Sequence, residues 1–196
     1  MTSHQILLDI QSRMLIILKE ELPPELTYHS YEHTLDVLHA TEQIAKGENV
    51  SLDEMLLLKT AAVFHDMGYI HSRVNHEQKS CMIARKILAS EGIPEGAIEK
   101  ICELILATQV PQNPKDILGQ IICDADLDYL GRDDYFPISQ NVFTEFKYFG
   151  ILKDAQEWKK MQIKFLESHK YFTKTANSLR NVKKEENLLK IKNNNF

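Results

Sequence analysis

The stretch Lys59-Thr60-Ala61-Ala62-Val63-Phe64-His65-Asp66-Met67-Gly68 decides the fold. It closes a run that opens at Ser51, where Ser51 and Glu54 have the spacing of a capping box. Met55, Leu58, Ala61, Ala62 and Phe64 then leave the helix apolar nearly all round, which predicts a central helix ending close to Gly68. An imidazole and a carboxylate stand at that buried end, and burying them without partners is costly. A divalent cation removes the cost, and mixed imidazole and carboxylate ligands suit ions such as Zn, Mn, Fe, Co, Ni or Mg.

Outward from this helix the pattern stays helical. Ile6, Leu7, Ile10, Met14, Ile17 and Leu18 share one face of a first helix, which Pro23 and Pro24 stop. A second is predicted from about Tyr31 to Ala45, ending near Gly47, and a fourth from about His76 to Ser90. Gly92 and Pro94 separate that one from a fifth carrying Ile98, Ile101, Cys102, Ile105 and Leu106. After Pro114 a sixth carries Ile117, Leu118, Ile121, Ile122 and Ala125, with Gly131 just beyond its end. Asp154 and Glu157 mark the start of another, and a last helix from about Lys174 is polar enough to fray. Seven glycines, six prolines and few alternating β-branched runs leave little material for a sheet. The expected architecture is all-α, a single helical domain over residues 1–196 with a motif-bearing core at about 25–135 and a helical extension at about 136–196.

Composition narrows the function classes. The 196 residues are 43% hydrophobic and 26% charged, ordinary for a soluble globular chain, and no apolar run reaches the length of a membrane span. No basic leader precedes an apolar stretch at the start, so a cytoplasmic location is expected and no membrane partner. Cys81, Cys102 and Cys123 lack metal or disulfide spacing and read as small buried hydrophobes. The net charge is -5, yet residues 174–196 are basic, leaving 17 basic against 26 acidic residues before them. So acidic a body argues against stable nucleic-acid binding. The basic tail reads as a solvated helix face, with an arm that docks an anionic substrate or partner as the lesser reading.

The histidines and aspartates carry the chemistry. In chain order they run His33 in the second helix, His65 and Asp66 at the end of the third, then Asp124, Asp126 and Asp128 closing the sixth. Each alone has an ordinary structural explanation; the ordering within an all-helical chain is more specific. Together, the segments Tyr28-His29-Ser30-Tyr31-Glu32-His33, 59–68 and Cys123-Asp124-Ala125-Asp126-Leu127-Asp128 resemble the HD-domain metal-dependent phosphohydrolase superfamily, whose motif is His, His-Asp, Asp. The segments around His76 and His169 look like those of small stand-alone bacterial-type members.

The resemblance implies that His33, His65, Asp66 and one carboxylate of the acidic run bind the metal. Periodicity does not choose among Asp124, Asp126 and Asp128; the family's Ala-Asp-Leu pattern matches Ala125-Asp126-Leu127 and selects Asp126, leaving Asp124 and Asp128 to orient imidazoles or a water. Residues 28–37 are also similar to a segment of the cyclic nucleotide phosphodiesterases, which assigns proton donation to His29, one turn before His33. Ser30 and Tyr69 depart from that family's pattern, so its substrate does not transfer. His76 and Glu77 stand where dinuclear relatives carry an extra ligand or an acid-base group. Thr108 and Gln109 replace a histidine common in relatives, so one tight metal site is expected, with a second weak or absent. His4, His39 and His71 show no partner pattern.

The implied activity is hydrolysis of a phosphomonoester or phosphodiester, in a nucleotide or another small phosphorylated molecule, by a metal-activated water. Asp66 or Asp126 would orient the water, His29 or His76 would move protons, and Arg132, His169, Lys170 and Lys183 are the candidates for holding phosphate charge. A non-catalytic nucleotide sensor and a diiron oxygenase are the competing readings, and a homodimer is left open.

Overall fold

A computed structural model describes residues 2–194, and among them every regular element is helical. The α-helices are α1 (Ser3–Glu21), α2 (Tyr31–Gly47), α3 (Leu52–Phe64), α4 (His76–Ser90), α5 (Glu95–Ala107), α6 (Ile117–Asp126), α7 (Tyr135–Tyr148), α8 (Ala155–Ser168) and α9 (Lys174–Lys192). Short 3₁₀ turns at Met67–Ile70 and Asp128–Gly131 follow α3 and α6.

Helix α3 is the hub. Its capping box is formed, the Ser51 hydroxyl accepting the Glu54 amide while Glu54 accepts the Ser51 amide. Leu58, Ala61, Ala62, Val63 and Phe64 are fully buried, and α1, α2, α4, α5 and α6 pack around them. The α-helix stops at Phe64 rather than near Gly68. His65 caps it, and the chain tightens into the 3₁₀ turn that carries Gly68. That change of helix type places His65 and Asp66 at the lip of the core instead of inside a continuing helix.

In the C-terminal third one element went unnamed in the sequence and one expectation needs correcting. The aromatic segment Tyr135–Tyr148 is the helix α7, which the periodicity reading passed over. Helix α9 is not a fraying tail: Thr173 caps it, and Lys184, Asn187 and Ile191 are buried beneath it. Three of its cations are held in ion pairs rather than merely solvated. Arg180 pairs with Asp128 at 2.7 Å, Lys183 with Asp133 at 2.5 Å and Lys192 with Glu167 at 2.6 Å. Gly131 permits the contact, since a Cβ there would sit 2.3 Å from the Arg180 carbonyl oxygen. A second, smaller apolar cluster around Leu130, Tyr135, Leu166 and Ile191 joins α7, α8 and α9. The three cysteines are buried and free, and among the described residues no helix is long and apolar enough to cross a membrane.

Candidate metal centre

Three helix ends meet at one point. Ser30 caps α2 by accepting the His33 amide, so His33 enters on the first turn of its helix. His65 and Asp66 arrive at the end of α3, and Asp126 is the last residue of α6. His33 Nε2 lies 3.2 Å from Asp126 Oδ1 and 3.6 Å from Asp66 Oδ2. His65 Nε2 lies 3.2 Å from Asp66 Oδ2 and 3.6 Å from Asp126 Oδ1, and the two Nε2 atoms are 3.4 Å apart. Around an ion with bonds of about 2.1 Å, neighbouring ligand atoms stand roughly 3.0 Å (octahedral) to 3.4 Å (tetrahedral) apart, so these separations are close to those of a coordination shell, with His33, His65 and Asp66 as the compact group and Asp126 beside the two imidazoles.

Two further observations fit a cation. His65 Nδ1 lies 2.7 Å from the Ala62 carbonyl oxygen, which can only accept, so Nδ1 carries the proton and the Nε2 lone pair is left for the centre. Asp66 Oδ2 is buried without a hydrogen-bond partner, a state rare in folded proteins and relieved by a metal ion. Burial opposes charge on Asp66, but the neighbouring imidazoles, His65 foremost, outweigh it and hold the carboxyl well below its usual range. Burial likewise opposes charge on Asp126, and the neighbouring imidazoles of His33 and His65 bring it down to about 2.

This centre floors a cavity of about 390 Å³. His29 stands in its wall, with Nδ1 paired to Glu145 of α7, whose Oε2 also accepts the amides of Tyr28 at 2.9 Å and His29 at 3.0 Å. Glu145 is only 1% exposed. Burial would push His29 down and Glu145 up; their hydrogen bond and opposite charges reverse both, raising the imidazole and lowering the carboxyl. With Nδ1 engaged, Nε2 is the ring atom left to meet a ligand.

Tyr69 lies between His29 and His76, its ring centroid 4.4 Å from one and 4.1 Å from the other. His76 Nε2 is 3.5 Å from both Asp66 Oδ1 and Glu77 Oε1, so His76 and Glu77 face the centre from the start of α4. The chain reaches α4 through Asn75 at φ 56°, a left-handed turn that asparagine tolerates. Gly68 lets the two segments close, since a Cβ there would lie 2.0 Å from the His76 carbonyl oxygen. Ser80 ties them further, accepting the Gly68 amide at 2.8 Å and donating to the His65 carbonyl at 2.7 Å.

Other expected site residues lie elsewhere. Asp124 orients no imidazole: its oxygens accept the Phe172 and Thr173 amides and the Thr173 hydroxyl, fastening α6 to the start of α9. Asp128 is bound to Arg180, and Arg132 to Asp36 and Asp134, so neither faces the main cavity. Lys183 is held by Asp133 and Glu186, and exposed Lys170 is no part of the cavity wall. His169 packs against Tyr171 and Phe165 outside that wall, both ring nitrogens unpartnered. Burial, then the charge of Lys184, pushes it down to about 4, so it is uncharged near neutral pH and a poor phosphate ligand.

The sequence reading missed Glu145, Tyr69 as a packing partner, and the α7 and α8 wall with Trp158 and Gln162. Glu145 did leave a signal: with Ser139 and Val142 it forms the buried face of α7, and a carboxylate in such a stripe calls for a buried partner.

An all-α fold whose helix ends bring His, His-Asp and Asp together defines the HD class. The sequence matches the HD domain family over residues 30–128, and the chain belongs to that family, whose members bind divalent metals and are largely metal-dependent phosphohydrolases. No curated protein matches the chain. Among solved structures it is similar to Bacillus subtilis YpgQ in its crystal structure in complex with ADP, at 19% identity, a TM-score of 0.68, and coverage of 96% of this chain and 94% of that one. At that identity the likeness is one of fold.

Proposed function

We propose that the chain is a metal-dependent phosphohydrolase acting on a nucleotide or another small phosphate ester. The observation that carries this reading is the convergence of the Nε2 atoms of His33 and His65 with carboxylate oxygens of Asp66 and Asp126, at 3.2–3.6 Å, on the floor of a cavity. The ADP bound by the structurally similar protein supports a phosphorylated ligand. Residues 1–196 act as one domain in this reading, because α7 of the extension supplies Glu145 to the cavity.

A cation held by His33, His65, Asp66 and Asp126 would acidify water and neutralise charge on the phosphoryl oxygens. Asp66 and Asp126 orient the attacking water. As its oxygen bonds to phosphorus, the ester P–O bond breaks and the leaving oxygen takes the electron pair. His29 donates a proton from Nε2 to that oxygen, while Glu145 holds Nδ1 and favours the charged imidazole. His76 and Glu77, beside Asp66, serve a second cation or accept the water's proton.

The test is metal content and phosphate release in parallel. The protein should bind about one equivalent of Mn, Co, Ni, Zn, Fe or Mg tightly, and one of these should support hydrolysis in a phosphoester panel. Asp66→Ala should lose the stoichiometric metal and almost all turnover while keeping its helical content. Full occupancy in that variant sinks the ligand assignment.

A further inference from the structure

The cavity is longer than a metal centre and a phosphate need, and its two ends differ. Beyond the carboxylates it runs between α7, α8 and the turn Asp128–Gly131, where Phe146, Trp158, Met161, Phe165 and Leu166 line it. Trp158 stands near the rings of Phe146 and Phe143, at centroid distances of 6.0 and 6.2 Å. The polar element of this end is Gln162, whose Oε1 accepts the hydroxyls of Tyr135 at 2.8 Å and Ser139 at 2.7 Å. Such a wall receives a flat, largely apolar body and offers it one amide.

Charge sets the other limit. Arg73 is the single lysine or arginine on the lining, exposed and lying over the Phe149 ring, while Asp66, Glu77, Asp126 and Glu145 all contribute carboxylates. The basic residues expected to hold phosphate are committed elsewhere or stand outside the cavity. One phosphoryl group carries a charge of about -2, which a divalent cation at the floor offsets. Each additional phosphate would extend along a wall where four carboxylates face one arginine and the imidazoles of His29 and His76.

Resting on the phosphohydrolase reading, we propose that the cavity takes a single phosphate joined to an alcohol bearing a flat aromatic ring, the ring against Trp158 and Phe146, and discriminates against triphosphates. A plain arene and a nucleobase share this chemistry, and separate probes distinguish them.

Trp158 is the sole tryptophan of the chain, so its fluorescence reports ring binding without turnover. The manganese-loaded protein is titrated with phenyl phosphate, deoxyadenosine monophosphate, deoxyadenosine triphosphate and glycerol phosphate, and phosphate or pyrophosphate release is followed with each. At least one of the ring-bearing monophosphates should change the fluorescence saturably and exceed both the triphosphate and glycerol phosphate in kcat/KM by about tenfold or more. Trp158→Ala should lower the kcat/KM ratio of phenyl phosphate to glycerol phosphate by about tenfold, the scale of one lost aromatic contact. Phe146→Leu, a milder change that keeps the fluorophore, should lower the same ratio in the same direction. A triphosphate preferred over both monophosphates, or ratios unmoved in both variants, overturns the substrate class while leaving the phosphohydrolase reading intact. Ring-dependent fluorescence with no hydrolysis of any probe supports the ring subsite and overturns the phosphohydrolase reading.

Discussion

Glu145→Gln tests the proton-donating arm with one atom exchanged. The native carboxylate accepts three donors: the amides of Tyr28 and His29 through Oε2, and His29 Nδ1 through Oε1. A glutamine can keep its carbonyl toward the two amides, but its NH₂ then faces Nδ1. The imidazole must turn Nδ1 into an acceptor and surrender its second proton, and a neutral imidazole is a far weaker acid than the charged one. The stability cost should be modest, about 1–2 kcal/mol, because the backbone contacts survive and only the charge-assisted bond is lost. The catalytic cost should be larger and selective. For an ester with an alkoxide leaving group, kcat should fall by roughly 10²–10⁴, the usual worth of a positioned general acid. For p-nitrophenyl phosphate, whose leaving group needs no proton, the loss should be several-fold at most. His29→Ala should show the same contrast and retain its metal, and the double variant should be no worse than either single one, since the two residues act as a unit. The assay is kcat on both ester types at fixed metal occupancy, with thermal melts alongside. Equal losses on both esters, or multiplicative losses in the double variant, would refute the pairing as the source of the proton.

Two further outcomes follow from packing and charge. His169 is pushed down to about 4 by burial and Lys184, so unfolded chains take up its proton below about pH 6.5 while folded ones do not until about 4. Its contribution to stability is complete above the unfolded value and falls with a slope approaching 1.4 kcal/mol per pH unit between about 6.5 and 4, a total of about 3 kcal/mol. In His169→Phe, denaturant unfolding from pH 7 to 4.5 should show a slope shallower by about one proton, and an unchanged slope rejects the assignment. Gly68→Ala drives a methyl into the His76 backbone, which cannot yield as a side-chain tip would. It should destabilise by about 3 kcal/mol or more and displace Asp66 and His76, read as a lowered Tm together with weakened metal binding; a wild-type Tm would show that the two segments are not locked.

The helices legible in the sequence are those with local punctuation. Ser51 with Glu54, the Pro23-Pro24 stop and the Gly92 and Pro94 break each act within a few residues, and the helices appear where they point. Helix α7 was illegible for the converse reason. Pro137 reads as a breaker, although in a first turn it costs no hydrogen bond, and Tyr135, Phe136, Asn141, Phe143 and Thr144 are weak helix formers held by tertiary contacts. Helix α9 was legible as a helix from Lys174, but not its docking, because its polar face is held by carboxylates at 128, 133 and 167 on other elements. Glu145 was lost along with α7, and with it the partner of His29.

The acidic run shows the limit most sharply. Asp124, Asp126 and Asp128 are one residue type at even spacing, and a helical wheel drawn through all three places each near the margin of the apolar face. The wheel fails because α6 ends at Asp126, and Asp128 belongs to a 3₁₀ turn with another periodicity. Each carboxylate consequently meets a different partner: the Phe172 and Thr173 amides for Asp124, the two imidazoles for Asp126, Arg180 for Asp128. Two of those three partners lie about fifty residues downstream, on elements whose docking is settled only when the whole chain packs. Where the helix stops decides which aspartate reaches the histidines, and the turn that follows the stop, Asp128–Gly131, packs against α9 at Gly131. Asp126 is therefore flanked on both sides by aspartates fastened to the cap and body of the basic C-terminal helix, which contributes no atom to the centre.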